Sequence, residues 1–312
     1  MKTWTSSAPL ADRFAGCLLG LAVGDALGAP YEGLTGFDIY HGFGPPGSVV
    51  KNPSGEPLYY TDDTEMMIGV AETLVEAGTV DEPRLVRAFA ENYHPERGYG
   101  QGARKVIERM CRGKDCGSFG NGAAMRVAPV GLLFAHDPDE VWRQAEASAR
   151  PTHTHPVGIE GAQVLALAIA LLTRTDTFDR AAFFRPLRSR VVTEEFQWHL
   201  RVAAKLRLGD PVSGLGSTLH AHRSVVTALA CFANTPGDFE SAVGLAIGLG
   251  DDTDTVAAMT GALVGAFAGL AAVPPGLLAK LEDGPAKGRS HVAALAARLF
   301  KLHDGLRTAG PA

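Results

Sequence analysis

The sequence predicts an all-α protein, and three observations predict it. Apolar residues recur at helical spacing in segment after segment, strand-like runs are few and short, and alanine is abundant enough for close helix packing. The chain has 312 residues, 46% of them hydrophobic. That suffices for one large core, and a single domain over 1–312 is expected.

Taken in order, the first signal is GLAVGDALG, where Gly20, Gly24 and Gly28 recur every four residues. A stripe of that period lets two helix backbones approach closely. Asp25 sits inside it and is expected to be paired or functional. The segment GFGPPGSVVKNPSGEP, Gly42 to Pro57, reads as a surface loop. It lies between acidic motifs, so no domain boundary is placed there. In TEMMIGVAETLVEAG, Met66, Met67, Val70, Leu74 and Val75 share one helical face. DEPRLVRAFAENY repeats the pattern with Leu85, Val86 and Phe89. GIEGAQVLALAIALLT is apolar all round and predicts a central helix. TEEFQWHLRVAAKLRLG, SVVTALACFA and HVAALAARLFKLH add three more helices. Only GSVVKNP and RSRVVTE have any strand character.

The net charge of −5 argues against general nucleic-acid binding, which shows basic clusters. The longest uncharged apolar run, Val256 to Val273, is near the lower length limit of a membrane span. It is rich in glycine and alanine and follows a dense acidic cluster, so a buried core helix is expected and no membrane partner. Cys17, Cys111, Cys116 and Cys231 form no C-x-x-C, so reduced thiols and a cytoplasmic location are expected. The opening MKTWTSSAPLADRFAG lacks the pattern of a signal peptide.

Two acidic clusters carry the chemistry. YYTDDTEMM holds Thr61, Asp62, Asp63 and Thr64; GDDTDT holds Asp251, Asp252, Thr253, Asp254 and Thr255. Each precedes a predicted helix. One Asp or Thr per helix is explained by capping, worth about 0.3–1 kcal/mol at the dipole. Adjacent aspartates flanked by threonines, twice over, are not. Carboxylate and hydroxyl oxygens suit a hard divalent cation better than zinc. Asp252 and Asp254 alternate, so both can face one ion while Thr253 turns elsewhere. Asp62 and Asp63 are adjacent and either point to different ions or one of them bridges. The number of carboxylates fits two ions better than one. No EF-hand pattern is present.

GSFGNGAAMRVAPVG brings Gly117, Gly120 and Gly122 together. Such a stretch is either a turn before a helix or a loop whose N–H groups cradle an anion. It is not a Walker A loop. His153 and His155 in PTHTHPVG have a spacing that suits a metal, but one buried and one exposed histidine is the expected outcome.

Taken together and in order, GCLLGLAVGDALGAPYEG, YYTDDTEMM, ERGYGQG, GSFGNGAAMRVAP, SARPTHTHPVG and GDDTDTVAAMTGALVGA resemble the ADP-ribosylglycohydrolase family, over Gly16 to about Ala266. The resemblance implies a compact orthogonal helical domain around a binuclear Mg²⁺ centre, with Mn²⁺ as a substitute. It implies metal ligands at Thr61, Asp62, Asp63, Asp252, Asp254 and Thr255, and Glu32 on a flap over the metals. Asp251 falls where many relatives have glycine and is left out of the ligand set. Ser118, Phe119, Gly120 and Asn121 match the loop that holds the diphosphate and distal ribose, with Phe119 stacking on adenine. His153 matches a pocket-lining histidine, and Gly98, Tyr99 and Gly100 of ERGYGQG complete the implied substrate set.

YYTDDT, RGYGQG and GSFGNG look most like the branch acting on ADP-ribosyl-serine, O-acetyl-ADP-ribose and poly(ADP-ribose). CRGKDC lacks a further aromatic that this branch carries, which implies an adenine held on one side. GNGAAMRVAP is also similar to the bacterial branch that removes ADP-ribose from arginine. The implied chemistry places Glu32 at the acceptor oxygen and Asp62, Asp63 or Asp254 as acceptor of the water proton. A catalytically inactive ADP-ribose binder and a metal-dependent phosphoesterase are the readings from other classes. The implied partners are ADP-ribose and ADP-ribosylated proteins, and a monomer is expected.

Overall fold

Glycines set the central contact of the computed structural model, which describes residues 3–109, 117–284 and 287–309. Helix Leu10–Gly28 runs antiparallel to helix Thr253–Ala268 with backbones touching. A Cβ on Gly265 would lie 1.9 Å from the Gly16 carbonyl oxygen, and one on Gly24 would lie 2.3 Å from that of Ala257. Close approach, not backbone freedom, is what these glycines provide. Because the pair is antiparallel, Gly28 meets Asp254, and Asp25 is carried to the acidic start of the second helix. Gly265→Ala is expected to destabilise the fold by at least about 1–3 kcal/mol, since main chain on the other side cannot give way. Thermal unfolding checks this, and an unchanged melting temperature would mean the two helices are further apart.

Around this pair the predicted helices appear at Asp62–Ala77, Glu82–Asn92, Pro156–Thr173, Ala221–Asn234 and Arg289–Ala309. Pro156–Thr173 is buried on nearly every side, as its continuous apolar composition requires. Two helices, Leu10–Tyr31 with its 3-10 extension and Pro156–Thr173, are long and apolar enough to cross a membrane, but 83% of each window is buried inside the protein. The apolar run after Asp254 is a buried helix, ending at Ala268 where Gly269 takes a positive φ of 78°.

Three expectations need correction. The segment 42–57 contains the helix Pro46–Lys51, whose Val49 and Val50 are buried. A Cβ on Gly244 would sit 2.7 Å from the Pro46 carbonyl oxygen, so this short helix packs on helix Phe239–Gly248 rather than waving in solvent. GSVVKNP is therefore helical, and Val191 and Val192 form the extended link between helices Arg180–Arg190 and Glu194–Ala203. The latter stops at Ala203, six residues short of Gly209, and the Arg180 guanidinium satisfies the Ala203 carbonyl there at 3.1 Å. Among the described residues the one sheet is a two-residue ladder, Trp4–Thr5 against Thr177–Phe178.

Cys17 and Cys231 are fully buried free thiols. Cys111, Cys116 and the rest of CRGKDC lie outside the described residues.

Candidate metal centre and substrate cavity

Helix starts deliver both acidic clusters to one place. Thr61 caps helix Asp62–Ala77, its Oγ1 accepting from the Asp63 N–H. Asp252 stands at the cap position of Thr253–Ala268 without accepting from a backbone N–H of the helix, and its carboxylate instead meets side chains, among them Asn121 and Thr255. Oxygens of Asp25, Asp63 and Asp254 lie within 4.8 Å of one another, and so do those of Glu32, Asp252 and Asp254. Asp254 belongs to both groups. Thr255 Oγ1 lies 3.4 Å from Asp63 Oδ2, joining the two helices directly. Thr253 points away and donates to the Gly28 carbonyl at 2.9 Å, as the alternation of the motif suggests. Asp62 and Asp63 take opposite sides: Asp62 lines the open cavity, whereas Asp63 turns inward to Thr61 and Thr255.

The electrostatics of this cluster are unfavourable without a cation. Burial, then the Asp25 carboxylate, push Asp62 up to about 8. Burial and the carboxylates of Asp25, Asp254 and Asp62 hold Asp63 well above the usual range. Asp254 is raised likewise by burial, Asp252 and Glu32. Burial lifts Asp252 to about 6 against the opposing hydrogen bond from Asn121. No Lys or Arg forms a salt bridge with Asp62, Asp63, Asp252 or Asp254 among the described residues, and the buried Oδ1 of Asp63 has no hydrogen-bond partner. A buried anionic oxygen without a donor costs several kcal/mol unless a cation meets it. The donor set is all oxygen. These residues fit a hard divalent cation.

Asp25 resolves as a brace for this cluster. Its two oxygens accept from Thr61 N–H and Oγ1–H and from Thr64 N–H and Oγ1–H at 2.5–3.1 Å. Those four donors are why burial lifts it only to about 6. With its lone pairs engaged, Asp25 draws the Thr61 hydroxyl proton toward itself and leaves a Thr61 lone pair for a cation. Asp25→Asn reverses one side of that arrangement. It is expected to lower Mg²⁺ affinity about 10–100-fold, the usual effect of losing an outer partner. Calorimetric titration of the metal checks this; unchanged affinity would make Asp25 purely structural.

The cluster forms the floor of a cavity of about 430 Å³. Glu32, exposed on the segment after the first helix, stands at one side with Asp62, Asp252, Asp254 and Thr255. Hydrogen bonds of 2.8 Å from Gly33 N–H to the Asp251 carbonyl and from Asp251 N–H to that of Leu34 tie this segment to the second acidic motif. Asp251 has φ of 63°, a conformation in which glycine is at ease. Its side chain meets Ser217 Oγ at 3.3 Å, not the acidic group.

Ser118, Phe119, Gly120, Asn121 and His153 line the opposite wall. Phe119 is half exposed, and His155 backs its ring at a centroid distance of 3.9 Å. His153 is buried; His155 is partly buried and caps helix Pro156–Thr173. The glycine-rich loop is less free to cradle an anion than its composition suggests. Gly120 N–H donates to Ser118 Oγ and Asn121 N–H to the Leu219 carbonyl, each at 3.0 Å. The Asn121 amide donates to Asp252 Oδ2 at 2.5 Å and to Ser224 Oγ at 3.0 Å, so it steadies an acidic residue. Gly98 and Gly100 line the cavity, but the Tyr99 side chain leaves it: its hydroxyl donates to Glu65 at 2.5 Å in a buried network.

Sequence reasoning missed Leu219 and His220, which reach the cavity because Gly120 and His220 form an isolated antiparallel bridge. A ladder of one pair leaves no periodic trace. It also missed Arg126 and Thr152 on the cavity wall.

An all-α scaffold with a carboxylate floor beneath a glycine-rich wall defines a hydrolase of the ADP-ribosylglycohydrolase class. A profile of that family matches residues 6–309, and the chain belongs to it. It is a glycohydrolase. Human ADP-ribosylhydrolase ARH3 is 32% identical, the alignment covering 84% of this chain and 87% of the human one. The ADP-ribosyl-[dinitrogen reductase] glycohydrolase of Rhodospirillum rubrum is 29% identical over 87% and 90% of the two chains. A solved structure titled ADP-ribosylglycohydrolase-related protein complex superposes with a TM-score of 0.73 at 28% identity, covering 94% of this chain and 99% of that one.

Proposed function

We propose that the protein is a Mg²⁺-dependent hydrolase of the O-glycosidic bond between ADP-ribose and its acceptor, with ADP-ribosyl-serine, O-acetyl-ADP-ribose and poly(ADP-ribose) as the substrate class. The observation that carries this reading is the shared cavity. It joins a cation-seeking carboxylate floor to a wall with an exposed aromatic, the first suited to ribose hydroxyls and the second to a purine. Similarity to human ADP-ribosylhydrolase ARH3 supports the choice of branch.

Thr61, Asp62, Asp63, Asp252, Asp254 and Thr255 would hold two Mg²⁺ ions, with Glu32 beside them. Bound there, the ions supply Lewis acidity toward ribose hydroxyls and lower the pKa of a water. The residues do the rest. Asp62, on the cavity face, accepts the proton of the attacking water. Glu32, at the exposed side, meets the acceptor oxygen as it leaves. The Asp254 and Asp252 carboxylates stabilise positive charge developing at the anomeric carbon. Phe119, backed by His155, offers one face to adenine. The enzyme is read as a cytoplasmic monomer acting on ADP-ribosylated proteins.

A second reading is favoured by the Rhodospirillum relative: hydrolysis of the N-glycosidic bond of ADP-ribosyl-arginine. Purified protein with Mg²⁺, assayed side by side on serine- and arginine-modified peptides, separates the two. Release from serine alone is expected; release from arginine alone would replace the first reading by the second. Binding of ADP-ribose without release from either would make the chain a reader.

Glu32→Ala is expected to lose at least about 10²-fold in turnover, the usual scale for one proton-transfer group, with ADP-ribose affinity retained. Unimpaired turnover would remove Glu32 from the acceptor side.

A further inference from the structure

The buried cationic residue beneath the glycine-rich wall has no part in the chemistry above. Arg126 is 1% exposed, and its guanidinium lies over the Phe89 ring at 4.7 Å. Burial pulls it down to about 9, so it stays charged at neutral pH. It donates to the Gly122 carbonyl at 3.1 Å, the Ser148 carbonyl at 2.9 Å and Thr152 Oγ1 at 2.7 Å. Thr152 Oγ1 in turn lies 2.7 Å from His153 Nδ1.

Hydrogen counting gives this chain a direction. A guanidinium only donates, so Thr152 Oγ1 accepts from Arg126. The threonine hydroxyl has one proton. Its choices are the Ala149 carbonyl at 3.4 Å and His153 Nδ1 at 2.7 Å. The nearer acceptor is also made more attractive by the guanidinium, which polarises the hydroxyl. Nδ1 of His153 is therefore an acceptor, and the ring proton sits on Nε2. That nitrogen faces Gly120, 3.8 Å from where a Cβ there would stand. The ring packs closely on two glycines: a Cβ on Gly158 would come within 2.9 Å of its Cδ2, and one on Gly122 within 3.3 Å of its Cε1.

We propose that Arg126 and Thr152 are positioning residues that lock His153 as the neutral Nε2–H tautomer, and that this fixed donor, turned toward Gly120, sets the shape of the glycine-rich wall. Thr152 and Arg126 act through His153 and need not touch substrate. Burial, and then the positive charge behind Thr152, oppose a second proton on the ring, so the wall keeps its form while solution pH crosses the ordinary histidine range. The effect on ligand rests on the ADP-ribose reading above; the tautomer does not.

Long-range proton–nitrogen NMR of the full ¹⁵N-labelled chain tests it, with the His153 signals identified by their loss in His153→Asn. The expected result is an unprotonated Nδ1 and a protonated Nε2, unchanged from about pH 5 to 8. Thr152→Val should move the Nδ1 signal toward a tautomer mixture and weaken ADP-ribose binding about tenfold, the scale of one lost hydrogen bond. The loss should fall on KM more than on kcat, and Thr152→Ser should restore both signal and affinity. A protonated Nδ1 in the wild-type chain, or imidazole signals that Thr152→Val does not move, would overturn the lock. Expected signals in a wild-type chain that fails to bind ADP-ribose would uphold the lock and sink the substrate reading instead.

Discussion

Asp254→Asn is expected to abolish hydrolysis and to leave the helical fold intact. Asp254 is the vertex shared by the two carboxylate groups, one with Asp25 and Asp63, the other with Glu32 and Asp252. Neutralising it weakens the hold on every cation the cluster accepts. A bound cation contributes several kcal/mol to the reaction, so a loss of at least about 10³-fold in turnover is expected. The same change removes a buried negative charge from among like charges. In the presence of a chelator the variant should therefore melt higher than the parent, although it is inactive. The Asp254 carboxylate accepts the N–H of Thr255 at 2.8 Å, a bond that an amide oxygen also accepts, so the helix start survives the change. Release of ADP-ribose and circular dichroism of the purified variant check the claim. Turnover within about tenfold of the parent would place the chemistry elsewhere.

Metal removal should make stability depend steeply on pH. Asp25 and Asp252 rise to about 6 in the fold and Asp62 to about 8, with Asp63 and Asp254 raised as well. The same side chains titrate near 3.8 when unperturbed. Between those values the folded state holds protons that the unfolded chain has released. Stability falls with rising pH wherever the fold binds more protons. As far as these groups go, the metal-free protein should thus be most stable below about pH 4, where both states are protonated, and lose stability progressively toward pH 8. For each carboxyl, every pH unit that separates its folded from its unfolded titration is worth about 1.4 kcal/mol, and each kcal/mol is roughly 2–4 °C in melting temperature for a domain of some 150–250 residues. A cation lowers these carboxyls back into the ordinary range, and the slope should vanish with Mg²⁺ in excess. Melting curves at pH 5 and pH 8, with chelator and with Mg²⁺, make the comparison. Equal slopes in the two conditions would show that the buried acids are not where the cation binds.

Much of this arrangement is legible in the residues because it is written at helix starts. A cap position has a compositional signature, and an excess of acids over what a cap needs is visible without coordinates. The glycine stripe Gly20, Gly24 and Gly28 likewise reports a helix contact, since no other residue fits where Gly24 meets the Ala257 carbonyl. What escapes is long-range or non-periodic. Tyr99 reads as a cavity residue from its glycine neighbours, yet the partner that turns it away, Glu65, lies 34 residues earlier. Asp25 reads as paired or functional without a choice between them, because its four donors come from a different helix start. The Pro46–Lys51 helix is hidden by prolines and glycines whose composition suggests a loop; its place is decided by Val49, Val50 and a gap over Gly244.

The central claim is that the two acidic motifs converge because divalent cations neutralise them. Anomalous diffraction from crystals grown with Mn²⁺ in place of Mg²⁺ tests it most directly. Two peaks on the cavity floor are predicted, within about 2.0–2.6 Å of oxygens from Asp62, Asp63, Asp252 and Asp254. A floor without a peak in such crystals, its carboxylates still packed together, would contradict the account.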